Sequence, residues 1–322
     1  MERVSLHSLG SMQLFDCPEN PCPDGAVVEM ITTRDGVVLR TARWPALSPR
    51  PKGTICLFQG RSEFIEKYFE VIRDLRARGF AVATMDWRGQ GGSDRLLLDG
   101  RLGHIDDFAH YAPDIEAFMR QVALPECPSP FYGLAHSMGG AILFANLPPS
   151  TSWFERLVVT APMIDLGSKP PAARFLARFL GGLGLSRHTV PGFSPRPVGL
   201  KPFEGNPVTS DPQRYARAAI VPREAPELAI GAPTIGWVRA AFAVMDHLMD
   251  PRFGADWRIP TLIFLAGEDR VVSSPAAKHF AAKLFATKAV NIPGARHEIM
   301  QERDTIRDVF WAAFDAFIPG TK

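Results

Sequence analysis

No run of this chain approaches the ~18 to 20 consecutive apolar residues that a membrane-spanning helix needs, so a helical membrane protein is excluded. Met1 to Asn20 interleave Glu2, Arg3, His7 and Asp16 with scattered apolar residues and form no continuous apolar segment, so no secretory leader is expected. Cysteine is scarce. The four present, Cys17, Cys22, Cys56 and Cys127, are too few and too scattered to staple 322 residues, which makes the cytoplasm the expected compartment. Whether Cys17 and Cys22 pair stays open. Dense basic tracts are missing as well: 36 Lys and Arg stand against 34 Asp and Glu, a net charge of +2, with no aromatic-basic alternation. The electrostatic footprint of a nucleic-acid binder is therefore absent, and nucleic acid is not an expected partner. No internal repeat or low-complexity tract interrupts the chain.

What is present is enough apolar sequence to bury a large core, 46% hydrophobic residues against 22% charged. Val27 to Thr33 and Val37 to Trp44 are β-rich runs joined through Asp35-Gly36, a hairpin signal. After the proline-rich Pro45 to Lys52, short apolar runs alternate with helical spacing, the pattern of a parallel sheet with crossover helices. The expected strands are Thr54 to Phe58, Phe80 to Met85, Phe131 to Leu134, Leu157 to Thr160, Thr261 to Leu265 and Ala289 to Ile292. Helices are expected over Ile65 to Arg78, Asp106 to Val122, Gly139 to Asn146, Pro275 to Phe285 and Arg303 to Phe317. From about Gly167 to Asp250 the strand rhythm stops, proline and glycine become dense, and two helical pieces, Ala172 to Leu183 and Thr234 to Met249, take over. The expected division is a core in two parts, 1–166 and 251–322, with a mostly helical cap inserted at 167–250.

The sharpest chemical signal is Phe131-Tyr132-Gly133-Leu134-Ala135-His136-Ser137-Met138-Gly139-Gly140, an apolar strand running into a serine with small residues two positions to either side, then a helix. That is a nucleophile elbow with Ala135 in the first glycine place. The turn is so tight that a bulky flank would strike the neighbouring strand or helix. A serine hydroxyl is a weak nucleophile and needs a base, which in turn needs a carboxylate to hold its tautomer. Asp269 follows the apolar run Leu262 to Ala266, and His297 follows Ala289 to Ile292. Asp269 is the expected acid, with Glu268 and then Asp165 as competitors, and His297 the expected base. The chain order Ser, Asp, His is that of one hydrolase architecture and differs from the chymotrypsin and subtilisin orders.

An oxyanion hole needs two donors. Met138 N–H, at the start of a helix, is one; the other is expected from Phe58-Gln59-Gly60-Arg61-Ser62-Glu63, where Gly60 permits close approach and Arg61 supplies the amide. Gln59, Gly60 and His136 are further expected substrate contacts. Asp86-Trp87-Arg88-Gly89-Gln90-Gly91-Gly92-Ser93-Asp94 has no Gly-Lys-Ser ending and is read as a structural brace, not a phosphate cradle.

With these motifs in place, the sequence resembles the lysophospholipase and monoacylglycerol lipase group of α/β hydrolases, filed with serine aminopeptidase-like hydrolases, from about Val27 to Phe317. Gln59-Gly60-Arg61-Ser62-Glu63, Asp86 to Gly91, His136 to Gly140, Gly267-Glu268-Asp269 and Gly294 to Glu298 carry the likeness. Within the insertion, Asn206 to Pro212 and Pro226 to Thr234 are similar to the cap of bacterial lysophospholipase L2-type proteins. The resemblance implies the α/β-hydrolase fold, with a mostly parallel sheet, an opening antiparallel hairpin and helices on both faces. It also implies cleavage of a single-chain acyl ester, a small-molecule lipid, through an acyl-Ser137 intermediate with no metal or organic cofactor. Two departures stand out: Ala135 for Gly at the elbow and Gln59 for His before the oxyanion glycine.

In the cap, Phe175, Leu176, Phe179, Leu180 and Leu183 form an apolar helical stripe beside Arg174, Arg178 and Arg187. Phe175 and Phe179 are expected to line an acyl tunnel, and the stripe to make transient contact with a membrane surface, peripheral to the inner membrane. Two rival functions follow from the same residues. An amidase or aminopeptidase would need cap acids such as Glu204, Asp211 and Glu227 to hold a substrate amine. A retired binding protein would keep the shell without the chemistry, which an intact Ser137, Asp269 and His297 argue against. Oligomeric state is not legible.

Overall fold

A computed structural model describes residues 13–147, 153–167, 171–192 and 200–320, without the side chains of 171–173; residues 1–12, on which much of the leader expectation rests, lie outside it. The Asp35-Gly36 turn joins β1 (Val27–Thr32) to β2 (Val38–Trp44), with Gly36 at φ 77°, a conformation that needs no Cβ. Then β3 (Thr54–Phe58) leads through a 3₁₀ turn into α1 (Phe69–Ala77) and β4 (Ala81–Met85). Next, α2 (Ala112–Phe118) continues through a π turn at Met119–Ala123 into a last short turn, α3 (Leu124–Glu126). The central crossover is β5 (Phe131–His136), α4 (Met138–Asn146) and β6 (Arg156–Thr160). Four helices precede the next strand: α5 (Pro171–Gly182), α6 (Pro212–Ala218), α7 (Ile220–Glu224) and α8 (Ile235–Met249). The chain closes with β7 (Thr261–Ala266), α9 (Ser274–Lys283), β8 (Thr287–Ile292) and α10 (Asp304–Phe317).

The eight strands form one sheet in the order β1-β2-β4-β3-β5-β6-β7-β8. β2 runs antiparallel to both β1 and β4, and every other neighbouring pair is parallel. The mostly parallel sheet opened by an antiparallel hairpin is thus as the strand pattern predicts. Each strand end falls within a few residues of expectation, because continuous apolar runs mark strands buried on both faces. On β3 the alternation is plain: Ile55 and Leu57 pack with Phe69, Leu75, Phe310 and Phe314 of α1 and α10, whereas Cys56 and Phe58 pack with Phe118, Ile142 and Phe280 of α2, α4 and α9. Each such fully buried side chain contributes about 1.5–3 kcal/mol of hydrophobic stabilisation.

The helices α6 and α7 were not expected. They arise where Asp211 caps α6, its carboxylate accepting the N–H groups of Gln213 and Arg214. Glu70 of α1 then binds Arg214, Arg217 and Arg307, tying α6 to α1 and α10. Among the described residues, no helix is long and apolar enough to cross a membrane. The four cysteines are free thiols.

Candidate active site

Ser137 sits between β5 and α4 at φ 50°, a left-handed conformation that a non-glycine residue adopts only under constraint. Its N–H donates to Thr160 O at 3.0 Å, and its own carbonyl accepts from Met163 N–H at 3.1 Å and Ala141 N–H at 3.2 Å. The small flanks are a packing demand: a Cβ on Gly139 would stand 2.6 Å from Gln59 O and 2.7 Å from Phe58 O. At Gly140 it would collide with Val159. Ala135 is accepted because it lies in β5, where its side chain joins the core against α2 and α4.

His297 Nε2 lies 2.9 Å from Ser137 Oγ, and Nδ1 lies 2.9 Å from Asp269 Oδ2. Asp269 Oδ1 also accepts the N–H groups of Val271 at 2.8 Å and Val272 at 2.9 Å. Burial opposes its ionisation, but the His297 hydrogen bond and these backbone donors outweigh it and hold the carboxyl below its usual range. Of the competing acids, Glu268 is exposed and Asp165 binds Arg174 at 2.7 Å, so neither meets His297. The three strand-end residues expected from the sequence are the three that converge.

The loop after β3 is held from several sides. Gln90 Nε2 donates to Gly60 O at 2.8 Å and Glu63 O at 3.0 Å, while Ser62 N–H donates to Gln90 Oε1 at 3.2 Å. Trp87 Nε1 donates to Gln59 O at 2.9 Å, and Gly60 N–H donates to the Glu63 carboxylate. Among the described residues, the amides of Arg61 and Met138 have no protein acceptor. Glu63 is itself buried against Tyr68 and Lys67, each 2.7 Å away, and Lys67 reaches Glu298 at 2.7 Å, beside His297. Burial raises the Glu63 pKa, yet Lys67 and His136 bring it down to about 2. The Asp86 loop is a brace indeed: Asp86 binds Arg40, which also binds Glu66, and accepts Gly92 N–H at 2.7 Å. Glu63, Lys67 and Gln90 have no local sequence signal beyond their motifs, because their partners are set by tertiary contact.

Ser137 and His297 open on a cavity of about 600 Å³. Gly60, Arg61, His136 and Met138 line it, together with Leu176, Ala177, Leu180, Val238, Phe242 and Met245. Three expected contacts fail. Gln59 is fully buried and does not line the cavity; its side-chain amide is enclosed by Ile65 N–H and Asp86 Oδ1. Phe175 and Phe179 are 71% and 54% exposed and stack on each other with centroids 6.2 Å apart. The cavity takes the adjacent arc of α5 instead, since Arg174 and Arg178 anchor the helix to Asp246 of α8 and so fix its rotation. His136 Nδ1 lies 3.0 Å from Thr160 Oγ1, and burial pushes its pKa down to about 4.

Residues 206–212 and 226–234 are hydrogen-bonded to the loops around the site. Val208 O accepts Glu298 N–H at 2.7 Å and Thr209 O accepts Arg296 Nη1 at 2.8 Å, clasping the loop that carries His297. Gly231 N–H donates to Arg101 O at 2.8 Å and Thr234 N–H to Gly103 O at 2.9 Å. Of the acids an amidase would need, Asp211 is spent on its helix cap and Arg214, and Glu227 lines neither cavity beside Ser137; Glu204 lines the neighbouring one.

Comparison with known proteins agrees with this geometry. The family pattern described as serine aminopeptidase (Hydrolase_4) matches residues 49–304. Lysophospholipase L2 of Escherichia coli (strain K12) is 33% identical over 288 residues, 85% of this chain and 82% of that protein. A monoacylglycerol lipase of Mycolicibacterium smegmatis is 24% identical, covering 78% of this chain and 83% of its own length. Among solved structures, a soluble variant of monoglyceride lipase from Saccharomyces cerevisiae superposes with a TM-score of 0.71 at 18% identity, over 92% of this chain and 97% of that one. An elbow serine in hydrogen-bond reach of its histidine, on a mostly parallel eight-stranded sheet, and a family match over most of the chain lead to one assignment: the chain belongs to the serine aminopeptidase family of α/β hydrolases.

Proposed function

We propose that this protein is a carboxylic-ester hydrolase that cleaves single-chain acyl lipids, lysophospholipids or monoacylglycerols, through an acyl-Ser137 intermediate. The observation that carries the reading is the relay from Asp269 through His297 to Ser137, with both links 2.9 Å, opening into a largely apolar cavity of about 600 Å³. His297 Nε2 takes the Ser137 proton as Oγ bonds to the ester carbonyl carbon, and Asp269 stabilises the imidazolium. The carbonyl oxygen gains the negative charge in front of the Met138 and Arg61 amides. Collapse breaks the ester bond, His297 returns the proton to the leaving alcohol, and a water activated by the same histidine then releases the fatty acid and restores Ser137.

In this reading 167–250 is a cap whose α5 and α8 enclose the acyl chain through Leu176, Leu180, Val238 and Met245. The outward face of α5, with Phe175 and Phe179 exposed, and Leu183 just beyond its end meet the membrane surface from which the lipid enters, so the enzyme works as a peripheral protein on the cytoplasmic side. The test is a fluorophosphonate probe followed by peptide mapping, with turnover measured on acyl esters and aminoacyl amides. Labelling at Ser137, loss of both labelling and ester turnover in Ser137→Ala, and preference for long acyl esters are expected. Undiminished ester turnover in Ser137→Ala would remove the mechanism.

A further inference from the structure

Arg61 carries the second oxyanion amide, yet its own backbone is the untied part of its loop. Gln59 O accepts Trp87 Nε1, Gly60 is held at both its N–H and its carbonyl, Ser62 N–H donates to Gln90, and Glu63 O accepts from Gln90. Among the described residues, neither the N–H nor the carbonyl of Arg61 meets a protein partner. A peptide unit between two tied neighbours can still rotate. An oxyanion donor misplaced by about an ångström loses most of its value, so this unit needs a restraint of its own.

The side chain provides one. Its Nη2 donates to Gly231 O at 2.6 Å, across 170 residues of chain, and Nη1 donates to Ser62 Oγ at 2.9 Å. The guanidinium lies over the Trp237 ring, 4.9 Å from its centre, in the first turn of α8. All these partners are neutral, Nε is shut off from solvent with no partner, and burial draws the Arg61 pKa down to about 10. A cation enclosed without a carboxylate costs stability, so stability does not account for the arrangement. Reach and shape do: a long side chain with a planar, forked head can donate to a carbonyl and lie against an indole at once.

The far end of this tether is fixed. Glu227 O accepts Arg95 Nη2 at 2.5 Å, Gly231 N–H donates to Arg101 O at 2.8 Å, and Ala232 O accepts Gly103 N–H at 3.1 Å. Thr234 N–H donates to Gly103 O at 2.9 Å. Gly103 also makes room, since a Cβ there would stand 2.8 Å from Arg61 Nη2. Resting on the esterase reading above, we infer that Arg61 is a positioning residue, whose guanidinium, moored at Gly231 O and against Trp237, orients its own amide toward the oxyanion. The hole is then aligned from two sides, the Met138 amide by α4 and the Arg61 amide by residues 226–237.

The experiment measures kcat and KM on a soluble short-chain ester, the rate of fluorophosphonate labelling and Tm, for wild type, Arg61→Met and Gly103→Ala with titrated sites. Acylation and deacylation both pass through an oxyanion, so kcat reports its stabilisation whichever step is slower. Arg61→Met keeps a long side chain without the donors. Its kcat and labelling rate should fall together by ~10- to 100-fold while KM stays within ~3-fold. Its Tm should move by no more than ~4 °C, because removing an enclosed charge offsets the lost Gly231 bond. Gly103→Ala retains Arg61 but crowds Nη2, and should lower kcat by ~3- to 10-fold at normal Tm. It decides the matter if Arg61→Met loses Tm and kcat together. A wild-type kcat in Arg61→Met, or in Gly103→Ala where Arg61→Met fails to fold, overturns the tether and leaves the esterase reading intact. Absence of Ser137 labelling in the wild type would instead strike that reading, and this one with it.

Discussion

Replacing Asp269 by asparagine removes a charge while keeping the side chain's shape, and the surrounding bonds decide how the new amide must face. Oδ1 receives two backbone N–H groups, from Val271 at 2.8 Å and Val272 at 2.9 Å. An amide nitrogen placed there would meet two donors, so the carbonyl oxygen keeps that position and the NH₂ turns to His297 Nδ1, 2.9 Å away. A donor facing Nδ1 drives the imidazole proton to Nε2. That nitrogen lies 2.9 Å from Ser137 Oγ and then has no lone pair to accept the serine proton. Every hydrogen bond still has a donor and an acceptor, so folding stability should change by no more than about 1 kcal/mol. Catalysis should not survive so lightly: a wrong tautomer in intact geometry costs about 10⁴ in kcat, or ~5.4 kcal/mol at 1.36 per decade. Thermal unfolding and steady-state turnover of a soluble short-chain ester, on protein with titrated sites, measure the two quantities. A Asp269→Asn variant that folds normally and keeps more than a tenth of the wild-type kcat would mean that Asp269 does not set the His297 tautomer.

The Gly139→Ala variant should be destabilised by about 1–3 kcal/mol and lose about 10²-fold in kcat, because the methyl would press on the Gln59 and Phe58 carbonyls and push α4 off the end of β3. Tm and turnover that both match wild type would refute that packing argument. His136 is held neutral, with its pKa lowered by burial from 6.5 to about 4, so between these values the unfolded chain binds a proton that the fold refuses. Its contribution is complete above pH 6.5 and declines as pH falls toward 4, by about 3 kcal/mol across the window. Urea unfolding of wild type and His136→Asn at pH 7 and pH 4.5 should show a difference in stability that shrinks on acidification; a pH-independent difference would sink the assignment. Replacing Phe175 and Phe179 by serine should weaken co-sedimentation with anionic vesicles while turnover of a dissolved ester stays near wild type, since both rings face outward. Equal vesicle binding would dismiss α5 as the membrane-facing surface.

The parts legible in the sequence are those whose signal is local. β3 is found over Thr54–Phe58 as expected because five consecutive buried residues leave no other reading, and the Asp35-Gly36 turn dictates the hairpin by its own backbone preference. Ser137, Asp269 and His297 are each announced by an apolar strand just before them. What fails is direction. On α5 the apolar arc includes Phe175 and Phe179 as well as Leu176 and Leu180, and periodicity alone cannot say which part faces the cavity. That choice is made by Arg174 and Arg178 pairing with Asp246, 72 and 68 residues away in the chain. Gln59 fails for the same reason: nothing near it in sequence reveals that Ile65 N–H and Asp86 will enclose its amide. The helix α6 escapes notice because seven residues containing two arginines and one proline-started turn carry no apolar period, and its stability comes from Asp211 and Glu70.

The division of labour between the sheet and residues 167–250 follows from where the backbone is strained. Among the described residues, Ser62, Ser137 and Ala161 are the non-glycine residues with positive φ, at 62°, 50° and 43°. They follow the C-terminal ends of β3, β5 and β6, which are adjacent strands. Each such conformation costs on the order of 1–3 kcal/mol and persists only where neighbours over-determine it. Gln90 pins the Ser62 amide, Thr160 O binds the Ser137 amide, and Phe264 O binds the Ala161 amide at 2.8 Å. Two of these three restraints are hydrogen bonds at strand ends, and the third comes from the Asp86 loop, so the backbone at Ser137 and at Ser62 is set without residues 167–250. His297 is the exception, since Val208 and Thr209 hold the residues on either side of it. Changes in α5 or α8 should therefore alter which lipid is accepted, whereas a change at Val208 or Thr209 should reach the proton transfer itself.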